Sequence, residues 1–276
     1  MGYLPLEYND PVREIIHPNP EQDIIMVPGW VPMTFVWCPA GKFMMGSPEN
    51  EFGHYLNETL HEETIEEGFW IGKFPVTQEQ YESLTGTNPS AFQDDLKFGG
   101  NNYPIDGISR KMAMDFCDLM NKTLDMGDWE ASLPSSAQWE YACRAGCSSA
   151  LNNGTEITRK YGRCWNLEEV AWNPLDKVRH PQPVGKKIPN AWGIYDMHGN
   201  VWEWCLDHYI HINKRGVVEE PEENLFVVRG GAFRTYPKFC RAACVQRMHE
   251  YTGNSDDFYR RMYKSYGFRV VLNKVK

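Results

Sequence analysis

The 276-residue sequence lacks several features that mark whole classes of proteins. It has no run of about 18 apolar residues, so no membrane-spanning helix is predicted. The segment from Met1 to Asp10 has no basic stretch followed by an apolar one, so no signal peptide is visible. We therefore expect a cytoplasmic protein, or an exported one whose leader has been removed. The sequence also contains no internal repeat and no low-complexity tract.

Motifs for several common chemistries are missing as well. The formal net charge is -9 and no stretch alternates basic with aromatic residues, so we expect no nucleic-acid binding. The pairs Gly99-Gly100 and Gly230-Gly231 lack the context of a phosphate-binding loop or a dinucleotide site. No arrangement suggests a Ser-His-Asp hydrolase.

None of the 8 cysteines belongs to a CxxC pair, so a zinc ribbon or a thioredoxin-like motif is unsupported. Cysteines inside apolar or aromatic runs, such as Cys117 and Cys205, are expected to be buried free thiols. The candidates for disulfide bonds are Cys143, Cys147, Cys164 and Cys244.

Aromatic residues and turn-forming residues are abundant. The chain contains 10 Trp, 23 Gly and 18 Pro, a composition that favours a loop-rich fold with aromatic side chains packed against the loops. Prolines are frequent before residue 33, which excludes one long helix there. We therefore predict an N-terminal extension over residues 1–32 and one domain over residues 33–276.

Strand and helix signals inside this domain indicate an α+β fold. Residues 33–46 predict a hairpin of two short strands, and residues 68–76 and 266–272 predict further strands. Thr77 with Gln80, and Ser135 with Gln138, are capping boxes that begin two helices, the second ending at Gly146. Ser109 is expected to cap a third helix, whose apolar face is Ala113, Phe116, Cys117 and Met120.

Seven short motifs follow one another along the chain. They are Phe35 to Ser47, Phe74 to Tyr81, Leu133 to Arg144, Pro183-Val184-Gly185 with Pro189-Asn190, Gly199 to Trp204, Arg229-Gly230-Gly231 and Gly267 to Val270. In this order they resemble the formylglycine-generating-enzyme, or sulfatase-modifying-factor, family. The resemblance implies a C-type-lectin-like fold with short antiparallel strands and a few helices. The family includes copper-dependent oxidases that convert a sulfatase cysteine to formylglycine, accessory domains beside kinases, and ligand-binding proteins.

The resemblance implies a structural calcium ion at the turn before Trp202. Carried over from the family, its ligands are the Asp196 side chain, the carbonyls of Gly199 and Val201, and the Glu203 side chain. Carboxylate and carbonyl oxygens are the ligands that Ca²⁺ takes. The alternative is a core turn in which Asn200 and Glu203 bond backbone amides.

The oxidase signature is incomplete. The family's oxidases hold Cu(I) between two thiolates in a pattern resembling Gly-Gly-Ser-x-x-Cys-x-x-x-x-Cys. Here Ala232 stands at the Ser position and Thr235 at the first Cys position, and Cys240 remains. A hydroxyl does not replace a thiolate on a soft Cu(I) ion, so neither copper nor formylglycine synthesis is expected. Cys244 could act as the partner of Cys240, although on a strand the two lie about 13 Å apart.

Two further groups of residues are candidates. Asp207, His208 and His211, with His198 or His249, could form a non-haem iron site of the two-His-one-carboxylate type. The family's substrate groove follows the Gly-Gly pair, and large side chains with polar tips supply binding energy at interfaces. The groove residues carried over are Trp202, Phe233, Arg234, Tyr236 and Phe239, extended by the Tyr- and Arg-rich stretch 251–266.

The sequence thus favours a binding or accessory domain that recognises a peptide, a glycan or a partner protein. A diverged metal-dependent oxidase, working through Cys240 and Cys244 or through histidine-bound iron, is the alternative.

Overall fold

Short strands and a few helices alternate with long loops in this protein. The computed structural model describes residues 24–26, 29, 31–93, 102–172, 178–212, 222–250 and 263–275. The strands are β1 (Ile24–Met26), β2 (Met33–Cys38), β3 (Gly41–Met45), β4 (His61–Ile65), β5 (Phe69–Gly72), β6 (Trp129–Ser132), β7 (Ala171–Trp172), β8 (His198–Gly199), β9 (Trp202–His208), β10 (Leu225–Arg229), β11 (Gln246–His249), β12 (Tyr266–Gly267) and β13 (Val271–Lys274). The helices are α1 (Gln78–Thr85), α2 (Arg110–Thr123), α3 (Ser136–Arg144) and α4 (Trp165–Glu168). The predicted α+β class is confirmed.

The main sheet is antiparallel and orders its strands as β1-β2-β5-β13-β6. Strand β2 uses both of its edges there, pairing with β1 on one side and β5 on the other. Strand β3 pairs instead with β4 in a separate ribbon. The predicted hairpin of residues 33–46 is therefore wrong, because β2 has no free edge to offer β3. The pairing of β1 also places a strand of the sheet before residue 33.

A second sheet, ordered β11-β10-β9-β12, carries the loops of the candidate site. Strand β12 runs parallel to β9, whereas β10 is antiparallel to both β9 and β11. The single strand predicted over residues 266–272 is divided in the structure. Its first part, β12, joins this sheet, and β13 joins the main sheet, so the C-terminal segment ties the two sheets together.

The three predicted helix starts are confirmed. Thr77 accepts from the amide of Gln80 at 3.2 Å while the Gln80 side chain accepts from the Thr77 amide at 2.9 Å, and Ser135 with Gln138 forms the same capping box on α3. Ser109 caps α2, and the predicted apolar face of that helix is buried. Helix α3 is capped by Ala145, in the left-handed conformation, one residue earlier than expected.

The core contains charged as well as apolar side chains. Trp70, Trp139 and Trp204 are fully buried. Three arginines are also fully buried, each paired with a buried glutamate: Arg229 with Glu140, Arg241 with Glu58, and Arg269 with Glu203. The longest helix, α2, has 14 residues, and within the described ranges no helix is long and apolar enough to cross a bilayer.

Candidate functional site

The loop after β10 brings Thr235 against Cys240. A Cβ on Gly231 would meet the Cys240 sulfur at 2.5 Å, so the loop needs glycine there to close over the thiol. The Thr235 hydroxyl accepts from the Ala232 amide at 2.7 Å, donates to the Ala232 carbonyl at 2.9 Å, and lies 3.4 Å from the Cys240 Sγ. The residue at the first thiolate position of the oxidase pattern therefore faces the second across the loop, and it carries oxygen instead of sulfur.

Cys240 itself is a buried thiol. It has no exposed surface, and burial raises its pKa to about 12, although the contact with Thr235 lowers it. Its side chain packs in an apolar cluster with Cys164, Leu151 and Leu167. Because the thiolate is the metal ligand and the nucleophile, a thiol held protonated at neutral pH is poorly suited to either role.

Cys244, the possible partner of Cys240, lies in surroundings of its own, and the pairing of the two thiols stays a prediction. Residues 240–244 form a turn rather than a strand, with the Cys244 amide donating to the Arg241 carbonyl at 3.1 Å. Burial and then Glu58 raise the pKa of Cys244 to about 12, and the Gln246 side chain contacts its sulfur at 3.7 Å. The groups that surround the two thiols differ. All eight cysteines are free, including the four considered for disulfides.

The histidines predicted as iron ligands have other partners. His198 is fully buried, where its Nε2 accepts from the Asn152 amide at 3.0 Å and its Nδ1 donates to the Cys240 carbonyl at 2.6 Å. Burial lowers its pKa to about 4, so His198 is neutral and holds the Cys240 turn in place. Asp207 accepts from the Ser136 amide at the start of α3, and His208 packs on the Phe226 ring. Across the residues the structure describes, no group of three His, Cys, Asp or Glu side chains could hold a metal ion.

The turn predicted to bind calcium has an unusual backbone. Asp196 and Asn200 adopt left-handed φ angles of 57° and 61°, and Gly199 has φ 77°. Non-glycine residues in this region store strain, which concentrates at ligand-binding turns and other functional sites. Asn200 bonds the backbone, as expected for a core turn without a metal. Its side chain accepts from the Gln182 amide at 2.9 Å and donates to the Gln182 carbonyl at 3.1 Å.

The carboxylates of Asp196 and Glu203 differ in how many hydrogen bonds they accept. Asp196 is buried, with Oδ2 accepting from the Gly185 amide at 2.7 Å and Oδ1 in a long 3.5 Å contact with Asn200. Glu203 accepts two bonds from Arg269 and a third from Trp139 Nε1, at 2.7 to 3.1 Å. Both Glu203 oxygens therefore already accept bonds, whereas Asp196 Oδ1 has only the long contact with Asn200 and could accept more. Carboxylate and carbonyl oxygens are the ligands that Ca²⁺ takes, and the calcium site stays a prediction.

The residues predicted to line a groove separate into two groups. Trp202 and Phe233 are buried in the main apolar cluster and are not available to a ligand. Arg234, Tyr236 and Phe239 reach the surface. Of the C-terminal extension, residues 251–262 lie outside the described residues. Tyr263 is buried in the core and Tyr266 packs against it.

The surface side chains join others that the sequence did not indicate. Tyr236 packs edge-on against Tyr161, with ring centroids 5.1 Å apart, and Phe239 stacks on Tyr55 at 6.2 Å. We call the surface formed by Phe52, Tyr55, Tyr161, Tyr236 and Phe239 the aromatic patch. Within it, Tyr161 is 57% exposed, Tyr236 47% and Phe52 45%. No local pattern could have found this patch, because residues 52–55, 161 and 236–239 meet through loops far apart in sequence.

Arg241 supports the aromatic patch from below. Its guanidinium donates to the Gly53 carbonyl at 2.7 Å, to Glu58 at 2.7 and 2.8 Å and to Glu51 at 2.6 Å. It also donates to the Lys238 carbonyl at 3.0 Å. One buried side chain therefore fixes the loop of residues 51–58 against the loop that contains Cys240.

The family model for the Sulfatase-modifying factor enzyme 1-like domain matches residues 30–274. The chain therefore belongs to the sulfatase-modifying-factor family, which confirms the resemblance drawn from the motifs.

Curated relatives are similar over part or most of the chain. Chaperone protein LppX of Paenibacillus barcinonensis is 29% identical, and the match covers 60% of this chain and 69% of the relative. The formylglycine-generating enzyme of Bos taurus is 30% identical, and the match covers 53% of this chain and 39% of that enzyme. The serine/threonine-protein kinase pkn1 of Chlamydia pneumoniae is 24% identical, covering 86% of this chain and 38% of the kinase. The chain thus spans well under half the length of the enzyme and of the kinase.

Two solved structures share the fold over nearly the whole chain. Treponema denticola variable protein 1 superposes with a TM-score of 0.70 at 20% identity, covering 90% of this chain and 98% of that one. PvdO from Pseudomonas aeruginosa gives a TM-score of 0.68 at 26% identity, covering 87% and 94%. The predicted fold is confirmed by these likenesses.

Proposed function

We propose that this chain is a polypeptide-binding member of its family that does not synthesise formylglycine. The observation that carries the proposal is the Thr235 hydroxyl 3.4 Å from the Cys240 sulfur. A two-thiolate Cu(I) site needs sulfur on both sides, and this loop supplies it on one. The burial that raises the pKa of Cys240 further disfavours chemistry through its thiolate.

The aromatic patch supports the binding half of the proposal. Contiguous exposed apolar surface on a soluble domain commonly marks an interaction site, and aromatic side chains dominate the binding energy of such sites. One relative is named a chaperone, a protein that acts on polypeptides, and it matches 60% of this chain. An extended peptide is therefore the ligand class that we assign to the surface.

Panning a displayed random-peptide library against the immobilised full chain tests the binding half. Enrichment of a peptide family is expected, and it should fall when Tyr161→Ala and Tyr236→Ala are combined. Val275→Ala, which alters another exposed apolar side chain, is the matched control. Failure to enrich any peptide would contradict the proposed peptide binding.

The catalytic half has its own test. A cysteine-containing sulfatase peptide is incubated with the protein, Cu(I), oxygen and a thiol reductant, and its mass is followed. The peptide should remain unchanged. Conversion of its cysteine to formylglycine would overturn the proposal.

We also propose that a calcium ion stabilises the turn of residues 196–203. The supporting observations are the left-handed backbone of this turn and the buried Asp196 carboxylate. The side chains of Asp196 and Glu203 and the carbonyls of Gly199 and Val201 would hold the ion. Calcium should raise the melting temperature of the wild type but not of Asp196→Ala. Equal melting curves with calcium and with chelator in the wild type would refute the site.

A further inference from the structure

The centre of the aromatic patch is occupied by a lysine ammonium. Lys238 Nζ lies 4.6 Å from the Phe239 ring centroid, 4.7 Å from that of Tyr161 and 5.5 Å from that of Tyr55. It also donates a hydrogen bond of 2.9 Å to the Tyr161 hydroxyl. A cation over aromatic faces is attracted by their quadrupoles, so the rings hold this charge in one place at the surface.

The hydrogen bonds of Lys238 leave its charge unneutralised. Bonds to the hydroxyls of Tyr161 and Tyr55 raise its pKa, so the side chain is protonated at neutral pH. Throughout the described part of the chain, no carboxylate lies within ion-pair distance of its Nζ. An ammonium keeps three donors, and the hydroxyls use part of this capacity.

A second lysine and an arginine belong to the loops that form the patch, although the protein carries a net charge of -9. Lys160 lies 5.2 Å from the Phe52 ring centroid, and Arg234 is exposed on the same loop as Tyr236. Beneath the patch, Glu51 and Glu58 share the single guanidinium of Arg241 and make no ion pair with Lys238. The exposed ammonium of Lys238 is thus the charge that a partner on the rings would meet, and it favours a partner of opposite sign.

The contacts of Arg241 beneath the aromatic patch preorganise it for binding. Arg241 ties residues 51–58 to the Lys238 backbone, and a Cβ on Gly53 would already meet the Lys238 Cβ at 3.3 Å. A surface that is ordered before binding loses less entropy when a ligand docks. The rings therefore present Lys238 in a fixed position rather than as a freely moving surface lysine.

From these observations we propose that Lys238 is the anchor for a carboxylate of an extended acidic peptide, whose apolar groups pack on the surrounding rings. The proposal rests on the polypeptide-binding function and names its ligand class. Extended, proline-containing segments suit such an aromatic surface, because they are ordered before binding and lose little entropy when they dock. The Lys238 ammonium supplies the charge selectivity that rings alone do not have.

Fluorescence anisotropy with labelled peptides tests the anchor. The probes are an alternating Glu-Pro peptide, its Gln-Pro and Lys-Pro counterparts, and an oligogalacturonate as an acidic glycan. The Glu-Pro peptide should bind best and should weaken as salt is added. Lys238→Gln should weaken it roughly tenfold or more, as expected for a lost charge-assisted hydrogen bond, whereas Lys238→Arg should retain most of the affinity. Lys42→Gln, which removes an exposed lysine paired with Glu62, is the matched control.

The outcomes separate this proposal from the function on which it rests. Equal binding of the Glu-Pro and Gln-Pro peptides, unaffected by Lys238→Gln, would overturn the anchor while leaving a polypeptide-binding function in place. Binding of the oligogalacturonate with no binding of any peptide would overturn the peptide assignment. If neither these peptides nor any member of a displayed library binds the wild type, the proposed function itself fails.

Discussion

At the scale of single residues, buried polar groups control both the site and its stability. Beside Cys240, Thr235 places a hydroxyl oxygen where a thiolate pair has its second sulfur, and this difference decides whether a soft metal can be held. Asp106 is a buried polar residue away from this loop, and its protonation affects the stability of the fold. It is fully buried, with Oδ1 accepting from the Ala91 amide at 2.9 Å and Oδ2 without a hydrogen-bond partner among the described residues.

Asp106 should make stability depend on pH. Burial raises its pKa from 3.8 to about 7, against the lowering effect of its hydrogen bonds. The folded state therefore holds the proton more tightly than the unfolded state between these pH values, and stability should fall as pH rises from about 4 to about 7. The loss is on the order of 4 kcal/mol. Urea unfolding across this range is the measurement, and Asp106→Asn should flatten the slope. An unchanged slope in the Asp106→Asn variant would show that other groups cause the pH dependence.

At the scale of elements, helix starts are the features that the sequence predicts best. The cap residue and its partner lie three positions apart, so local sequence contains the whole interaction. Ser135→Ala removes the cap of α3 and should cost about 1 kcal/mol in unfolding free energy. Ser148→Ala, an exposed serine beyond the same helix, should change stability little. Chemical denaturation measures both, and equal effects of the two substitutions would contradict the role of the cap.

The partners of the strands, in contrast to the helix starts, could not be predicted from local sequence. Residues 33–38 and 41–45 both read correctly as strands, but their proximity in sequence suggested a hairpin that the structure does not contain. The true partners of β2 are β1 and β5, and pairing with β5 is set by packing across the sheet, with Trp37 opposite Trp70. The aromatic patch could not be predicted from the sequence for the same reason, because tertiary contacts between distant loops assemble it. The family motifs, by contrast, located the loop with Thr235 and Cys240 because its spacing is local.

At the scale of the whole molecule, buried arginines hold the loops together. Arg241 bridges residues 51–58 and 238–241, and Arg269 bridges β9 and the main sheet through Glu203 and the Gly72 carbonyl. In a chain with short strands, such bridges replace part of the regular hydrogen bonding. Removing one partner leaves the other charge buried and unpaired, which is costly.

Arg241→Met is expected to destabilise the protein by about 3–5 kcal/mol, because Glu58 and Glu51 lose their counter-charge. Hydrogen exchange should rise first in residues 51–58, below the aromatic patch. Lys111→Met breaks an exposed ion pair with Asp115 and should change stability little, because solvent screens the two charges. Comparable losses in the two variants would contradict the bridging role of Arg241.

The loop after β10 places a hydroxyl beside the Cys240 thiol, and a Cu(I) titration in competition with a chromogenic chelator shows whether these two groups can hold the soft metal. The wild type should leave copper with the chelator, whereas Thr235→Cys, which places sulfur opposite Cys240, should take up one Cu(I) per chain under reducing conditions. Tight one-to-one binding of Cu(I) by the wild type, abolished by Cys240→Ser, would contradict the account.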